Sequence, residues 1–314
     1  KVLAEFLRDA IQPDERLDVL TFHGWCLGQL KRAGVTIPKP RGRGHLWHEY
    51  WGRLPQLLLQ AYEERRLRPG AYQAILVDEG QDFAATWYRT LLRALDPETN
   101  NLFIAVDSSQ TINKRKVSWR EIGIQIVGRT RVLRVNYRNT AEILAAAYGR
   151  IRELDSAGMV AREAEQEYVV PDRALRHGPQ PEVRRCESQE ASRRHALDWI
   201  VARLGRGAAP AEILVLGLIR PELAQLDGWL RDRGVKAQQL RGKGRTDAVK
   251  LSTIHSAKGL DAEHVLLLDA HQLERRDEAE ARRLLYIAMT RARSELCISY
   301  YGDSALMAEL VESL

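Results

Sequence analysis

Cysteine is scarce in this chain. Three among 314 residues, Cys26, Cys186 and Cys297, stand far apart and form no CxxC pair. That spacing argues against a structural zinc site and fits a reduced, cytosolic compartment. His45 with His48, or His23 with Cys26, lacks the second pair that a metal-ligand set requires. Long apolar runs are missing too. No segment approaches the ~18 apolar residues of a membrane span, so no membrane partner is expected. The opening stretch, KVLAEFLRDAIQPDERLDVL, is charged throughout and does not read as a signal peptide. It starts on Lys1, inside a helical pattern, so the sequence reads as a fragment. Internal repeats and low-complexity tracts are absent. GxxxxGK[ST] is absent as well: Gly242-Lys243 has no Gly five positions before it and no Ser or Thr after it. A phosphate-cradling loop is therefore not supplied by this sequence.

What is present describes a globular α/β protein. Hydrophobic residues make up 45% and charged residues 29%, and the length suffices for two ordinary domains. The net charge of +6 permits phosphate-rich partners without requiring them.

The chain is organised around Ala74–Phe83, AILVDEGQDF. Ile75-Leu76-Val77 reads as a strand buried on both faces of a parallel sheet. Asp78, Glu79, Gln81 and Asp82 follow at its carboxyl end, the edge where open α/β sheets bind ligands. Upstream, a strand is expected at 18–21 and helices at 23–33 and 45–66. Downstream, a helix is expected at 83–95 and a second buried strand at 101–107. A strand at 131–135 leads into Asn136-Tyr137-Arg138, with Thr140 capping a helix over 141–154. Residues 155–181 read as irregular. Beyond them strands and helices alternate to the end, the pattern of βαβ units. The domain boundary is expected near Gly128.

Six stretches carry a resemblance. LTFHGWC at 20–26, VDEGQD at 77–82, AVDSSQTI at 105–112, VNYRNT at 135–140, STIHSAKGLD at 252–261 and LLYIAMTRAR at 284–293 occur in this order. They resemble the TFH, DExxQD (Walker B), GDxxQ, NYR, TxHxxKGLE and LYVALTRA elements of UvrD/Rep-like superfamily 1 helicases. The resemblance covers roughly residues 19–300 and implies two RecA-like, P-loop NTPase-type parallel-sheet domains. Residues 1–128 would be the first, truncated at its N-terminus, and 129–314 the second. The implied activity is ATP-dependent translocation or unwinding on single-stranded or partly duplex DNA, with 3′→5′ polarity. ATP and Mg²⁺ would be the cofactors, with ATP hydrolysed between the two domains.

The resemblance also implies roles. Asp78 would hold Mg²⁺ and Glu79 would orient the attacking water. Gln110 would sense the γ-phosphate, and Arg138 and Arg291 would stabilise the transition state. Tyr137 would stack on adenine, with Gly259 and Asp261 near phosphate and ribose. Thr21, Phe22, His23, Thr253 and His255 would touch DNA. Trp119, beside Lys114-Arg115-Lys116, is either a base-stacking platform or a loop anchor in the core. Taken together, charged residues gather at strand exits.

The sequence departs from the family pattern in several places. The phosphate loop is missing, so this chain alone is expected to be inactive as an ATPase. The loop is expected on a missing N-terminal segment of the same protein. Asn113 stands where many relatives carry an aromatic residue, and Asp261 shortens the usual Glu. The slim gaps between motifs describe a compact motor core, with a nuclease or repair partner as a further expectation. The rivals are a non-catalytic DNA- or partner-binding module and the motor subunit of a nuclease or defence complex.

Overall fold

The computed structural model describes residues 10–12, 14–37, 45–106, 118–131, 135–156, 173–240, 247–257 and 259–314, with isolated positions 4, 8 and 39. They form a mixed α/β structure with parallel sheets. Two compact units hold Leu7–Arg131 and Val132–Leu314.

In the first unit, α1 (Phe22–Arg32) starts where Thr21 Oγ1 accepts the Gly24 N–H at 3.2 Å. That bond satisfies one of the helix's unpaired amides. Then follow α2 (His45–Glu63), β1 (Ala74–Val77), α3 (Ala85–Ala94) and β2 (Asn101–Ile104). β1 and β2 pair in parallel from Ala74↔Asn101 to Val77↔Ile104. Strand alternation sends Ile75, Val77, Leu102 and Ile104 towards a core with Trp25, Leu54, Leu58, Tyr88 and Leu91. The other face is open, with Leu76 72% and Phe103 63% exposed. The expected strand buried on both faces is thus a strand buried on one. Residues 18–21 form no strand either, because Thr21 is committed to capping α1.

The second unit is built on a six-stranded, all-parallel sheet ordered β5-β10-β9-β6-β8-β7. Its strands are β5 (Glu182–Cys186), β6 (Ile213–Gly217), β7 (Ala237–Gln239), β8 (Val249–Thr253), β9 (Ala262–Leu267) and β10 (Ala292–Tyr301). β6, ILVLG, is buried along its whole length, as an unbroken apolar run in a central parallel strand requires. Helices α5 (Gln189–Gly205) and α6 (Arg220–Asp232) cover one face through Leu197, Ile200, Leu223 and Leu226. On the other face α4 (Ala141–Ser156) and α7 (Glu278–Met289) pack on each other and against β10. Asp277 caps α7 by accepting the Glu280 N–H at 3.0 Å. Helix α8 (Ala305–Glu312) ends the chain.

β3 (Val135–Thr140) pairs in parallel with β4 (Arg173–Arg176). Asn136-Tyr137-Arg138 therefore lies within a strand, where the sequence suggested a segment following one. β4 falls inside the stretch that read as irregular, and β5 begins at its end. Both are short and charge-rich, and edge positions leave no apolar signature. No helix among the described residues is long and apolar enough to cross a membrane.

Candidate functional site

β1 ends at the acidic cluster. Asp78 is exposed, and its Oδ1 accepts the Glu79 N–H at 2.9 Å. Glu79 sits in the left-handed region (φ 54°, ψ 40°), unusual for a residue with a side chain, and turns the strand into a short 3₁₀ helix over Gly80–Asp82. Buried Gln81 donates from Nε2 to Glu79 Oε2 at 2.5 Å and so aims that carboxylate. Two bonds fix the turn: Gly80 N–H to the Ala105 carbonyl and Tyr88 Oη–H to the Gly80 carbonyl, both 2.8 Å. Glycine is required here by crowding. A Cβ at position 80 would lie 2.5 Å from Ile104 Cγ2 and 2.7 Å from Tyr88 Oη.

The Thr21–His23 stretch meets this turn through aromatic rings. Phe22 stacks on Trp87 (centroids 4.5 Å apart, planes at 13°) and meets Phe83 edge-on at 5.3 Å. His23 packs edge-on to Trp87 at 4.7 Å and Trp51 at 5.3 Å. Phe83 directly follows Asp82, so the first unit joins the TFH-like and acidic stretches physically. Trp87, the ring that bridges them, was not singled out from the sequence; the helix expected from 83 starts at Ala85, and Phe83 stands extended ahead of it, meeting Trp87 edge-on at 5.2 Å. Trp119 is buried at 6% exposure with its ring 5.1 Å from Tyr88. It anchors the core, and its ring offers no stacking platform as it stands. Gln110 and Lys114–Lys116 lie outside the described residues, as does Asn113.

In the second unit the motif residues divide between opposite edges of one sheet. Thr253 ends β8, with its Oγ1 2.9 Å from Ser256 Oγ, and exposed His255 lies in the 3₁₀ turn that follows. Asp261 immediately precedes β9 and Arg291 immediately precedes β10. These two stand where the parallel strands begin, so among these four residues the expected gathering at strand exits holds for Thr253 and His255, as it does for Asp78 and Glu79 after β1 in the first unit. The reason is the short segment 254–261, which returns the chain from the exit of β8 to the start of β9.

The strand-start cluster is tightly built. Arg138 Nε lies 3.2 Å from Asp261 Oδ2. Arg291 is buried at 1% exposure, with Nε donating to the Ile287 carbonyl at 3.0 Å and Nη1 to the Leu260 carbonyl at 3.2 Å. Asn139, 2% exposed, donates from Nδ2 to the carbonyls of Thr290 (3.0 Å) and Ala292 (2.6 Å). Asn136 Oδ1 accepts the N–H groups of Arg138 and Asn139, both at 2.8 Å. Gly259 has φ 78°, open to glycine at little cost. Tyr137 is 68% exposed. Asn139 is the pin that sequence reasoning overlooked, because an Asn within a strand carries no signal until its partners are known.

The two arginines differ in freedom. Arg138 is half exposed in a surface ion pair, worth about 0–1 kcal/mol, and can exchange Asp261 for another anion at small cost. Arg291 is walled in, and leaving its carbonyl partners would strand buried acceptors at about 1–3 kcal/mol each.

Comparison with known proteins bears on the second unit. Residues 218–303 match the model of the UvrD-like helicase C-terminal domain family. The matched segment contains Thr253, His255, Gly259, Asp261 and Arg291, while Tyr137, Arg138 and the whole first unit lie outside it. The C-terminal domain of a possible DNA helicase from Lactobacillus plantarum WCFS1 is similar at 21% identity with a TM-score of 0.43, over 56% of this chain and 94% of that one. No curated protein matches the chain significantly.

Proposed function

We propose that this chain is the greater part of the motor of an ATP-dependent DNA translocase or helicase of the UvrD/Rep-like kind, working 3′→5′ on single-stranded DNA. One observation carries the reading. Asn139, outside the segment that matches the helicase domain, is bonded to Thr290 and Ala292 inside it, and its neighbour Arg138 is paired with Asp261. Two stretches with independent helicase resemblance are thereby parts of one cluster.

The residues fit the proposed cofactors. Asp78 offers an exposed carboxylate at the end of β1, and hard oxygen donors of this kind suit Mg²⁺. Held there with ATP, Mg²⁺ would supply positive charge against the charge that develops on the phosphates. Glu79, its direction set by Gln81, orients the attacking water. Arg138 is the mobile cation that turns towards phosphate, and Arg291 holds the Leu260–Asp261 loop and lends fixed positive charge. Tyr137 presents an open ring for the base. Thr21, Phe22 and His23, with Thr253 and His255, contact DNA.

No GxxxxGK[ST] occurs in residues 1–314, so this chain alone is expected to hydrolyse ATP at background rate. The same absence favours a second reading, a DNA- or partner-binding module without turnover. DNA-stimulated ATPase of the full-length protein separates the two. In a motor, Glu79→Gln lowers turnover by about 10²–10⁴-fold, and Arg138→Ala by about 10³-fold or more. Wild-type turnover in either variant overturns the assigned role, and full-length protein with no ATPase at all favours the binding module. Strand displacement then distinguishes unwinding from translocation.

A further inference from the structure

Sheet register builds a cluster that cysteine spacing could not reveal. β10 pairs with edge strand β5 in parallel, with Cys297 opposite Glu182. Residues opposite each other on adjacent strands point to the same face. α5 packs on that face and brings His195 over the pair. His195 Nε2 lies 3.4 Å from Cys297 Sγ and 3.9 Å from Glu182 Oε1. All three donor atoms fall within 4.8 Å of one another. Tetrahedral zinc, with bonds of about 2.0–2.3 Å, separates its ligand atoms by about 3.3–3.7 Å. The His–Cys edge already matches, and the exposed Glu182 side chain has room to close the rest.

We propose that Glu182, His195 and Cys297 form a binding site for a zinc-class divalent cation. One thiolate, one imidazole and one carboxylate make a borderline-soft donor set that suits Zn²⁺ over Mg²⁺ or Ca²⁺. Glu182 is exposed while Cys297 is buried, so a fourth ligand would be supplied by water. Without metal, burial pushes the Cys297 thiol up, so it stays protonated. Burial also holds His195 below its usual value, which leaves a neutral imidazole lone pair at neutral pH. Binding forms Zn–S, Zn–N and Zn–O bonds and releases the thiol proton to solvent. Of the neighbouring cations, Arg203 is committed to Glu295 at 3.1 Å and lies over the Trp199 ring, while Arg184 is exposed. The cation would staple β5, which among the described residues pairs with β10 alone, to β10 and α5.

Cobalt(II) titration of the EDTA-treated chain tests the site. One equivalent is expected to bind, to produce a thiolate-to-cobalt charge-transfer band, and to be displaced by Zn²⁺. Cys297→Ser abolishes the band, whereas Cys186→Ser leaves it. His195→Gln and Glu182→Gln, which keep the thiol, should each weaken Zn²⁺ binding beyond the roughly 10–100-fold that losing a mere outer-shell partner costs. If Cys297→Ser fails to fold, those two variants carry the decision. A band surviving in Cys297→Ser, unaltered Zn²⁺ affinity in His195→Gln, or no saturable Co²⁺ binding overturns the site.

Discussion

Two strands of this chain end in the same way. β1 runs into Glu79 and β9 runs through Leu268 into Asp269. Both carboxylates are left-handed (φ 54° and 55°), and both start a 3₁₀ turn, Gly80–Asp82 and Ala270–Arg275. The surroundings differ. β1 belongs to a two-stranded sheet with one open face, and exposed Asp78 stands beside Glu79. β9 lies inside a six-stranded sheet covered on both faces, and Asp269 is 1% exposed. There Ser192 donates to Asp269 Oδ1 at 2.6 Å and the backbone N–H donates to Ser299 Oγ at 3.4 Å. One local device thus serves an accessible acidic site in one unit and a buried structural carboxyl in the other. Backbone geometry alone does not tell them apart; enclosure does.

The sharpest way to break this contrast is to empty the enclosed sheet. Leu266 is fully buried in a cluster with Trp199, Val215 and Leu226. Leu266→Ala should destabilise the second unit by about 2–5 kcal/mol, through lost transfer energy and the cavity left behind. Denaturant unfolding measures it, and a cost below about 1 kcal/mol would mean the sheet is not packed as described.

A pH experiment sharpens it next. Desolvation, assisted by nearby Glu222, raises Asp269 from 3.8 to about 6. Its contribution to stability is therefore fully present below pH 3.8 and lost as pH rises through about 6. The loss approaches about 3 kcal/mol, because every pH unit separating the folded and unfolded titrations is worth about 1.36 kcal/mol. Glu142, held down at about 2 chiefly by its hydrogen bond from His177, acts with the opposite sign in more acidic solution. The difference between wild-type and Asp269→Asn stability curves isolates Asp269, since Asn also tolerates the left-handed backbone. A flat difference curve between about pH 4 and 7 refutes the buried-carboxyl reading.

The smallest effect belongs to the open face of the first unit. Leu76→Ser and Phe103→Ser replace side chains that are mostly in water, so each should change stability by no more than about 0.5 kcal/mol. A cost near that of Leu266→Ala would show that something covers this face in solution.

The legible parts were those with a strong local signal. The apolar run of β6, the Thr140 cap of α4, whose Oγ1 accepts the Ile143 N–H at 3.4 Å, and the acidic end of β1 announce themselves in a few consecutive residues. β4 and β5 did not, because short edge strands with charged side chains lack an apolar pattern. Leu76 misled because an unbroken ILV run reads the same whether one face or both are covered. Trp119 carried two readings, and its burial and its contact with Tyr88 favoured the core.

The sequence by itself determined the α/β alternation, the absence of a phosphate loop and the candidate motif residues, because these depend on neighbours in the chain. Tertiary structure decided everything that depends on partners distant in sequence. It put Thr253 and Asp261 of one motif at opposite sheet edges, and it tied Asn139 to Thr290 and Ala292. It also buried Asp269 while leaving Asp78 in water, and assembled Glu182, His195 and Cys297 from three separate elements. The physical reason is common to all of these. Register, burial and electrostatic environment depend on distance in space, and chain spacing constrains that distance only within a strand, a turn or a helix.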